Sequence, residues 1–314
     1  MFSEETLESM SMGLLNDLEY TCINGGEIIR DYSKVIFEDD LFDVLSKINH
    51  NASDEQIKEA IRLIKNLDQN NTILNNKQFT KYLLEGVSVP VYEHGETKYK
   101  TIKLVDFDNV ENNVFKAINQ YTIIENSEKR PDIILFVNGL PLVVIELKST
   151  VRENISLIDG YNQIKGYQEV HIPTLFYYNQ ILVVSDGVQA RAGTITSPWS
   201  RFSEWKKVED DDLVLDRMAT HDTLFKGMFR KNRILDIIKN YILYNDNAKI
   251  LSAYHQYFGV KKAIDSTMKA IYENSKKAGI VWHTQGSGKS FSMVFYTGNM
   301  ISHLNNPTII VVTD

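Results

Sequence analysis

Residues 130–148 read RPDIILFVNGLPLVVIELK, and this stretch decides the fold class of the chain. Two apolar runs, 132–137 and 142–147, flank the turn sequence Asn138-Gly139-Leu140-Pro141. Asn-Gly between two such runs is a strong hairpin signal, because both residues tolerate the positive φ that a tight turn needs. The stretch therefore predicts two paired antiparallel strands.

The elements after this hairpin extend the pattern. The sequence predicts a helix at about 156–168, and an apolar run at 180–185 predicts a strand that closes at Asp186-Gly187. Strand, strand, helix and strand in this order indicate a mixed α/β core.

The residues before the hairpin predict helices and a second strand pair. Large apolar side chains recur at helical spacing through residues 4–70, so this part is expected to be largely helical. Residues 87–91 and 98–105 flank a turn at His94-Gly95 and predict two paired strands.

A connecting part leads to a domain boundary. Residues 198–230 are aromatic and polar with an acidic run, and are expected to form a solvated loop face. An amphipathic helix is predicted at 233–244, where it would pack between domains. Asn245-Asp246-Asn247 is the predicted boundary, which gives two domains, 1–245 and 246–314.

The second domain begins a new pattern. A predicted helix at 260–276 leads to a short strand at 280–282, a glycine loop, a helix from Phe291 and another strand at 307–312. Buried-type strands alternating with helices indicate a parallel sheet. Two strands cannot complete such a sheet, so the second domain is expected to be truncated.

Composition and charge exclude several classes of protein. The 314 residues suit about two domains, and 43% hydrophobic with 24% charged residues is a globular mixture rather than a disordered or fibrous one. The net charge of −7 counts against coating nucleic acid by bulk charge, so DNA contact requires a local basic track. Cys22, the single cysteine, excludes a disulfide framework. With no secretory signal and no apolar run long enough for a bilayer, we expect a soluble cytoplasmic protein.

A glycine loop after the predicted strand is the most specific local motif. Its glycines let backbone N–H groups close around phosphate oxygens, and the following helix adds positive potential. Lys289 can reach the β- and γ-phosphates, and the Ser290 hydroxyl can complete a magnesium shell. The predicted nucleotide-binding residues are Thr284, Gln285, Gly286, Ser287, Gly288, Lys289 and Ser290.

Two features qualify this motif. His283 stands where a phosphate loop usually has Gly or Ala, so only the second half of the pattern is kept, and a glycine-rich turn is the alternative. A complete ATPase also needs an acidic residue on a later strand, and the chain stops at Asp314. We therefore expect this chain alone to lack ATPase activity.

Two carboxylates and a lysine are predicted to converge at one end of the first hairpin. Glu146 and Lys148 are two apart in a strand and project to one face, and the turn folds Asp132 back towards them. Two carboxylates with a backbone carbonyl suit Mg²⁺, which activates water at a phosphodiester. Lys148 would orient that water or stabilise the developing charge.

The spacing alone leaves an alternative, a charged strand end on the surface. Both acids adjoin strongly apolar runs, however, where an unpaired charge is costly, and this context favours a site. Gln163 and Tyr167 lie four apart on one face of the predicted helix and could support that site or touch the phosphate backbone.

These motifs together resemble a known family. Residues 130–148 and the Gln163-x-x-x-Tyr167 pair resemble the PD-(D/E)xK nuclease domain of restriction (R) subunits of type I restriction–modification enzymes. Residues 254–258 and 282–290 resemble the start of the superfamily 2 motor in the same subunits, and 307–314 resembles its next helicase motif.

The resemblance implies a fold and an activity. The fold would be a mixed-sheet PD-(D/E)xK nuclease domain followed by the beginning of a RecA-like parallel α/β motor domain. The full subunit would join modification and specificity subunits, translocate double-stranded DNA with ATP and cut away from the recognition site. The implied site residues are catalytic Asp132, Glu146, Lys148, Gln163 and Tyr167, metal ligands Asp132, Glu146 and Leu147, and Gln256 near the adenine of ATP.

Two other functional interpretations stay open from the sequence. The chain could be a nucleotide-binding regulatory protein in which the Glu-x-Lys strand is structural. It could also be a DNA-binding protein without nuclease activity, which the net charge disfavours.

Overall fold

The structure is a computed structural model that describes residues 3–93, 96–149, 156–214 and 218–312. Its helices are α1 Glu4–Asp17, α2 Glu38–Ile48, α3 Asp54–Lys65, α4 Thr72–Glu85, α5 Leu157–Gly166, α6 Pro173–Tyr178, α7 His221–Met228, α8 Lys231–Asn240, α9 Tyr254–Tyr272 and α10 Lys289–His303. Its strands are β1 Thr21–Asn24, β2 Val87–Glu93, β3 Glu96–Ile102, β4 Phe115–Asn119, β5 Ile123–Ile124, β6 Glu128–Lys129, β7 Ile133–Val137, β8 Leu140–Leu147, β9 Ile181–Ser185, β10 Ala190–Gly193, β11 Ile242–Asn245 and β12 Ala248–Leu251.

Six strands form one mixed sheet in the order β1-β4-β7-β8-β9-β10. The β1–β4 and β8–β9 pairs are parallel, and the other three neighbouring pairs are antiparallel. Every residue of β7, β8 and β9 is buried, so the centre of the sheet is covered on both faces. The predicted mixed α/β core is confirmed.

The hairpin predicted from residues 130–148 is confirmed. β7 and β8 pair antiparallel, with Ile133 opposite Ile145. The turn is tighter than predicted, because Leu140 already belongs to β8 and only Asn138 (φ 54°) and Gly139 (φ 79°) connect the strands. A Cβ at Gly139 would lie 2.4 Å from the Phe37 carbonyl oxygen, so the close approach requires glycine here.

The part before this hairpin is only partly as predicted. Helices α1 to α3 and the β2–β3 pair are confirmed, while the predicted turn at His94-Gly95 lies outside the described residues. β1, β4 and α4 were not predicted. β1 has four residues at the sheet edge with mixed exposure, so its sequence carries no clear alternation.

The predicted solvated face at 198–230 needs correction. Phe202 and Trp205 are buried in the core, and α7 packs there as a further helix. The acidic run does lie at the surface, where Glu209 contacts Arg230 and Arg233. The aromatic residues were therefore a signal of burial.

The amphipathic helix predicted at 233–244 ends earlier, at Asn240. The next residues form the β11–β12 hairpin, and the predicted boundary at Asn245-Asp246-Asn247 falls on its turn. The Lys249 side chain of β12 is buried against α4 and the segment before β9, where its ammonium donates to Asn76, Asn179 and Gln180 oxygens at 2.7–2.9 Å.

The strands predicted at 280–282 and 307–312 are corrected. Both segments are unpaired in the described part of the chain, and Ile280 and Trp282 are 96% and 87% exposed. A strand exists only where a neighbour satisfies its backbone N–H and C=O groups, and the described residues offer none at either place. The end of the motif at 307–314 lies outside the described residues, whereas the helix predicted from Phe291 is confirmed as α10.

Candidate active site

The hairpin and the end of β8 bring the predicted acids and lysine together. Asp132 directly precedes β7, and its Oδ2 accepts a 2.6 Å hydrogen bond from the Leu147 backbone N–H. The Lys148 ammonium lies 2.9 Å from Glu146 Oε1. Glu146 is 0% exposed, and its Oε2 has no hydrogen-bond partner among the residues that the structure describes. The cluster is thus a buried site with one carboxylate oxygen free to accept.

Burial is the largest influence on the pKa of both acids. Burial raises the pKa of Asp132 to about 6, although the Leu147 N–H and Lys148 oppose the shift. Burial raises the pKa of Glu146 well above its usual range, and the negative charge of Asp132 adds to this while Lys148 opposes it. A cation or a proton shared with this pair would relieve the repulsion.

Helix α5 and the residue that follows it present the two auxiliary residues to the same region. The Gln163 Nε2 donates to the Tyr167 hydroxyl at 2.5 Å, and Tyr167 is buried. Burial raises the pKa of Tyr167, and the negative charges of Glu146 and Asp132 raise it further. The structure therefore places the tyrosine hydroxyl within electrostatic reach of both acids.

A metal ion at this site would depend on few protein ligands. Leu147 contributes its amide to Asp132, and its carbonyl as a metal ligand stays a prediction. In the described ranges, no group of three or more His, Cys, Asp or Glu side chains could hold a metal ion. Any ion would therefore be held by two carboxylates together with backbone, water or substrate oxygens.

The predicted phosphate loop lies between α9 and α10. Gly286 and Gly288 have φ of 80° and 78°, the left-handed conformation that glycine permits, and α10 begins at Lys289. The Lys289 ammonium folds back over the loop and donates to the His283 and Thr284 carbonyls, both at 3.3 Å. Thr284, Gln285 and Ser290 are exposed, and Ser287 is half-buried.

The Gln256 side chain hydrogen-bonds to this loop and to the N-terminus of its own helix. Its Nε2 donates to the Gly288 carbonyl at 2.9 Å, and its Oε1 accepts from the Ala253 N–H at 2.9 Å. Each polar atom of this buried side chain thus makes one hydrogen bond, which leaves the amide one further N–H donor and one oxygen lone pair.

Several neighbours of the acid cluster were not predicted. Glu4 and Glu8 of α1 approach closely enough to raise the pKa of Asp132, and Glu8 is held at 2.6 Å by the Asn119 side chain. His221 is fully buried, with Nδ1 2.7 Å from the Ser185 hydroxyl. These contacts join distant parts of the chain, so no spacing in the sequence announces them.

Residues 1–201, well over half of the chain, match the family described as Type I restriction enzyme R protein N terminus. The chain belongs to this family. Residues 255–314 match the SWI2/SNF2 ATPase family, in agreement with the predicted start of a helicase motor. The resemblance inferred from the motifs is therefore confirmed.

Relatives that are named as endonuclease subunits align with nearly the whole chain. The chain is 37% identical over 335 residues to the Type I restriction enzyme HindI endonuclease subunit of Haemophilus influenzae, and this alignment covers 100% of the chain and 32% of the relative. The chain is also 32% identical over 340 residues to the Putative type I restriction enzyme MjaIXP endonuclease subunit of Methanocaldococcus jannaschii. This alignment covers 98% of the chain and 32% of the relative. The chain thus spans about a third of the length of the curated relatives it matches.

Among the described residues, no helix combines the length and the apolar character that crossing a membrane demands.

Proposed function

We propose that Asp132, Glu146 and Lys148 form the active site of a Mg²⁺-dependent DNA endonuclease of the PD-(D/E)xK type. The observation that carries this proposal is the fully buried Glu146, with one oxygen on Lys148 and the other without a partner in the described chain. A buried, partly unsatisfied carboxylate is costly, and such groups are retained where a ligand completes them.

The residues present fit a divalent cation. Asp132 and Glu146 offer the carboxylate oxygens that Mg²⁺ prefers, and the Leu147 carbonyl is a further candidate ligand. Their raised pKa values arise first from burial and then from nearby carboxylates, Glu8 and Glu4 for Asp132 and Asp132 for Glu146, and a bound cation would offset both effects. When bound, the ion would supply an activated water and neutralise charge at the phosphodiester.

The protein's own side chains would do the positioning. Lys148 is compact and is held by Glu146, so its charge has a defined place beside the attacked phosphate. Gln163 of α5 and Tyr167, which directly follows α5, form a hydrogen-bonded pair that would contact the DNA backbone or order water. Both roles need groups that are already fixed before substrate binds.

The test is cleavage by the full-length subunit assembled with its partner subunits. Asp132→Asn or Glu146→Gln should abolish plasmid cutting while ATP hydrolysis persists, because the motor does not use these carboxylates. The matched control is Glu111→Ala at an exposed acid, which should keep both activities. Unchanged cutting in either site variant would sink the proposal, because the cleavage site would then lie at other residues.

We further propose that the glycine loop binds Mg-ATP for DNA translocation. The loop glycines and Lys289 would cradle the phosphates and Ser290 the magnesium ion, with Thr284, Gln285 and Ser287 completing the loop. The whole subunit would act in the cytoplasm with modification and specificity subunits and cut double-stranded DNA away from the recognition site.

The proposed division into domains follows the packing of β12. Because Lys249 is buried among oxygens of α4 and the segment before β9, we place the end of the nuclease domain after Leu251 rather than at 245. The motor would then begin at α9, where the SWI2/SNF2 similarity also begins.

A further inference from the structure

Helix α5 crosses the active-site end of the sheet very closely at Gly160. A Cβ at this position would lie 2.5 Å from Val184 Cγ1, 3.2 Å from Lys148 Cγ and 3.6 Å from Lys148 Cε. Glycine inside a helix costs about 1 kcal/mol relative to alanine. In exchange, the glycine lets the α5 backbone approach Val184 and Lys148 closely.

Gly160 also lies on the functional face of α5. Gln163 and Tyr167 follow it by three and seven residues, so the three positions share one side of the helix. The height of α5 above the sheet therefore sets two things at once. It determines where the Gln163–Tyr167 pair lies, and it confines the aliphatic part of Lys148.

We propose that Gly160 is a positioning residue for DNA cleavage, because its missing side chain lets α5 hold the Lys148 side chain against Glu146. This inference rests on the proposed nuclease function. It assigns to Gly160 no contact with substrate, only the confinement of Lys148.

A methyl group at position 160 would disturb this arrangement. Val184 is fully buried in β9, at the centre of the sheet, so it has little freedom to move away. The helix would have to rise instead, and Lys148 would gain room for other rotamers. The Lys148 ammonium would then spend only part of its time at the 2.9 Å distance from Glu146.

The test uses Gly160→Ala in the full-length subunit with its partners. Cleavage should fall about tenfold or more, because small misplacements of a positioned group are costly, while DNA-dependent ATP hydrolysis stays unchanged. Acylation of Lys148 by an amine-reactive ester, followed by peptide mass spectrometry, should rise as the lysine leaves Glu146. This second readout does not depend on activity.

Two variants serve as control and rescue. Gly166 is in the same helix, and a Cβ built there would have the His171 ring as its nearest neighbour, at 3.7 Å. Gly166→Ala should therefore leave cleavage and Lys148 acylation at wild-type levels. Val184→Ala removes the atom closest to the new methyl group, and Gly160→Ala/Val184→Ala should regain the cleavage rate and the Lys148 protection of Val184→Ala alone. If Gly160→Ala folds poorly, the double variant is the one to test, because it removes the 2.5 Å contact and leaves the flexible Lys148 side chain, at 3.2 Å, as the nearest neighbour of the methyl group.

The outcomes separate this inference from the nuclease proposal. Wild-type cleavage and acylation in Gly160→Ala would overturn it, as would a folded double variant without rescue. If Asp132→Asn abolishes cutting and Gly160→Ala does not lower it, only the positioning role is wrong. If Asp132→Asn cuts normally, the nuclease assignment itself is wrong.

Discussion

The Lys148 ammonium is a compact charge placed 2.9 Å from a fully buried carboxylate. A guanidinium is broader and planar, and it spreads its charge over a rigid fork. We predict that Lys148→Arg in the assembled enzyme loses DNA cleavage as completely as a variant that lacks the Lys148 side chain. Lys47→Arg on the exposed end of α2 is the control and should cut at the normal rate. Plasmid cleavage by the Lys148→Arg variant near the wild-type rate would contradict this role.

Single residues also show how far the sequence predicts the site. Asp132, Glu146 and Lys148 were predicted to meet because an Asn-Gly turn between two apolar strands folds Asp132 back towards the end of the second strand, and the β7–β8 pairing confirms this. The Gln163–Tyr167 pair followed from helical spacing. Their roles in catalysis and metal binding stay predictions.

Other neighbours of the site could not be predicted in the same way. Gly160 and Glu8 reach it only through the packing of α5 and α1, which depends on contacts between segments far apart in the chain. A glycine in a predicted helix and an acid in another have many ordinary explanations, so neither indicates a site by itself.

Among the elements, the β11–β12 hairpin is anchored by a buried ammonium. Lys249 is 2% exposed, its side-chain nitrogen is within hydrogen-bond distance of four oxygens of uncharged groups, and burial lowers its pKa well below the usual range. We predict that Lys249→Met lowers the free energy of unfolding by about 2 kcal/mol or more, because the buried acceptors lose their donor. Urea unfolding of the variant measures this loss.

Its control is Lys47→Met on the exposed surface of α2, for which we expect a nearly unchanged urea midpoint. A Lys249→Met midpoint equal to that of the wild type would show that the hairpin does not depend on the ammonium.

The elements differ in how well local signals predict them. The β7–β8 hairpin has an Asn-Gly turn and two apolar runs, all within residues 130–148. β1 and β4, in contrast, pair in parallel, with Thr21 opposite Lys116, so no turn between them marks the pairing. The strands predicted at 280–282 and 307–312 have the right composition but no partner in the described chain, and composition alone does not make a ladder.

For the whole molecule, the unformed strand before the phosphate loop limits what this chain can do with ATP. The loop is anchored to α10 and Gln256, but residues 280–282 pair with no strand among the residues that the structure describes. Catalysis at a γ-phosphate depends on pre-organised charges around it. We predict negligible ATP turnover by the purified 314-residue chain, with or without DNA.

A phosphate-release assay measures this turnover, with the full-length subunit as the positive control. In that full-length enzyme, Lys289→Ala should remove both ATP hydrolysis and DNA cutting. DNA-stimulated turnover by the short chain that disappears in Lys289→Ala would show that the motor site is already complete within these residues.

The exposed residues around the phosphate loop also affect how the protein behaves in the test tube. Ile280, Trp282, Ile310 and Val312 are 83–96% exposed, on backbone whose hydrogen-bonding groups have no strand partner in the described chain. Such segments are adhesive, because a second molecule can satisfy both their apolar surface and their open edges. A shorter polypeptide that stops after Leu251 keeps the acid cluster and discards both segments. It also removes α9, whose Tyr257 packs against Trp205 and Tyr241, so it exchanges one exposed apolar surface for another.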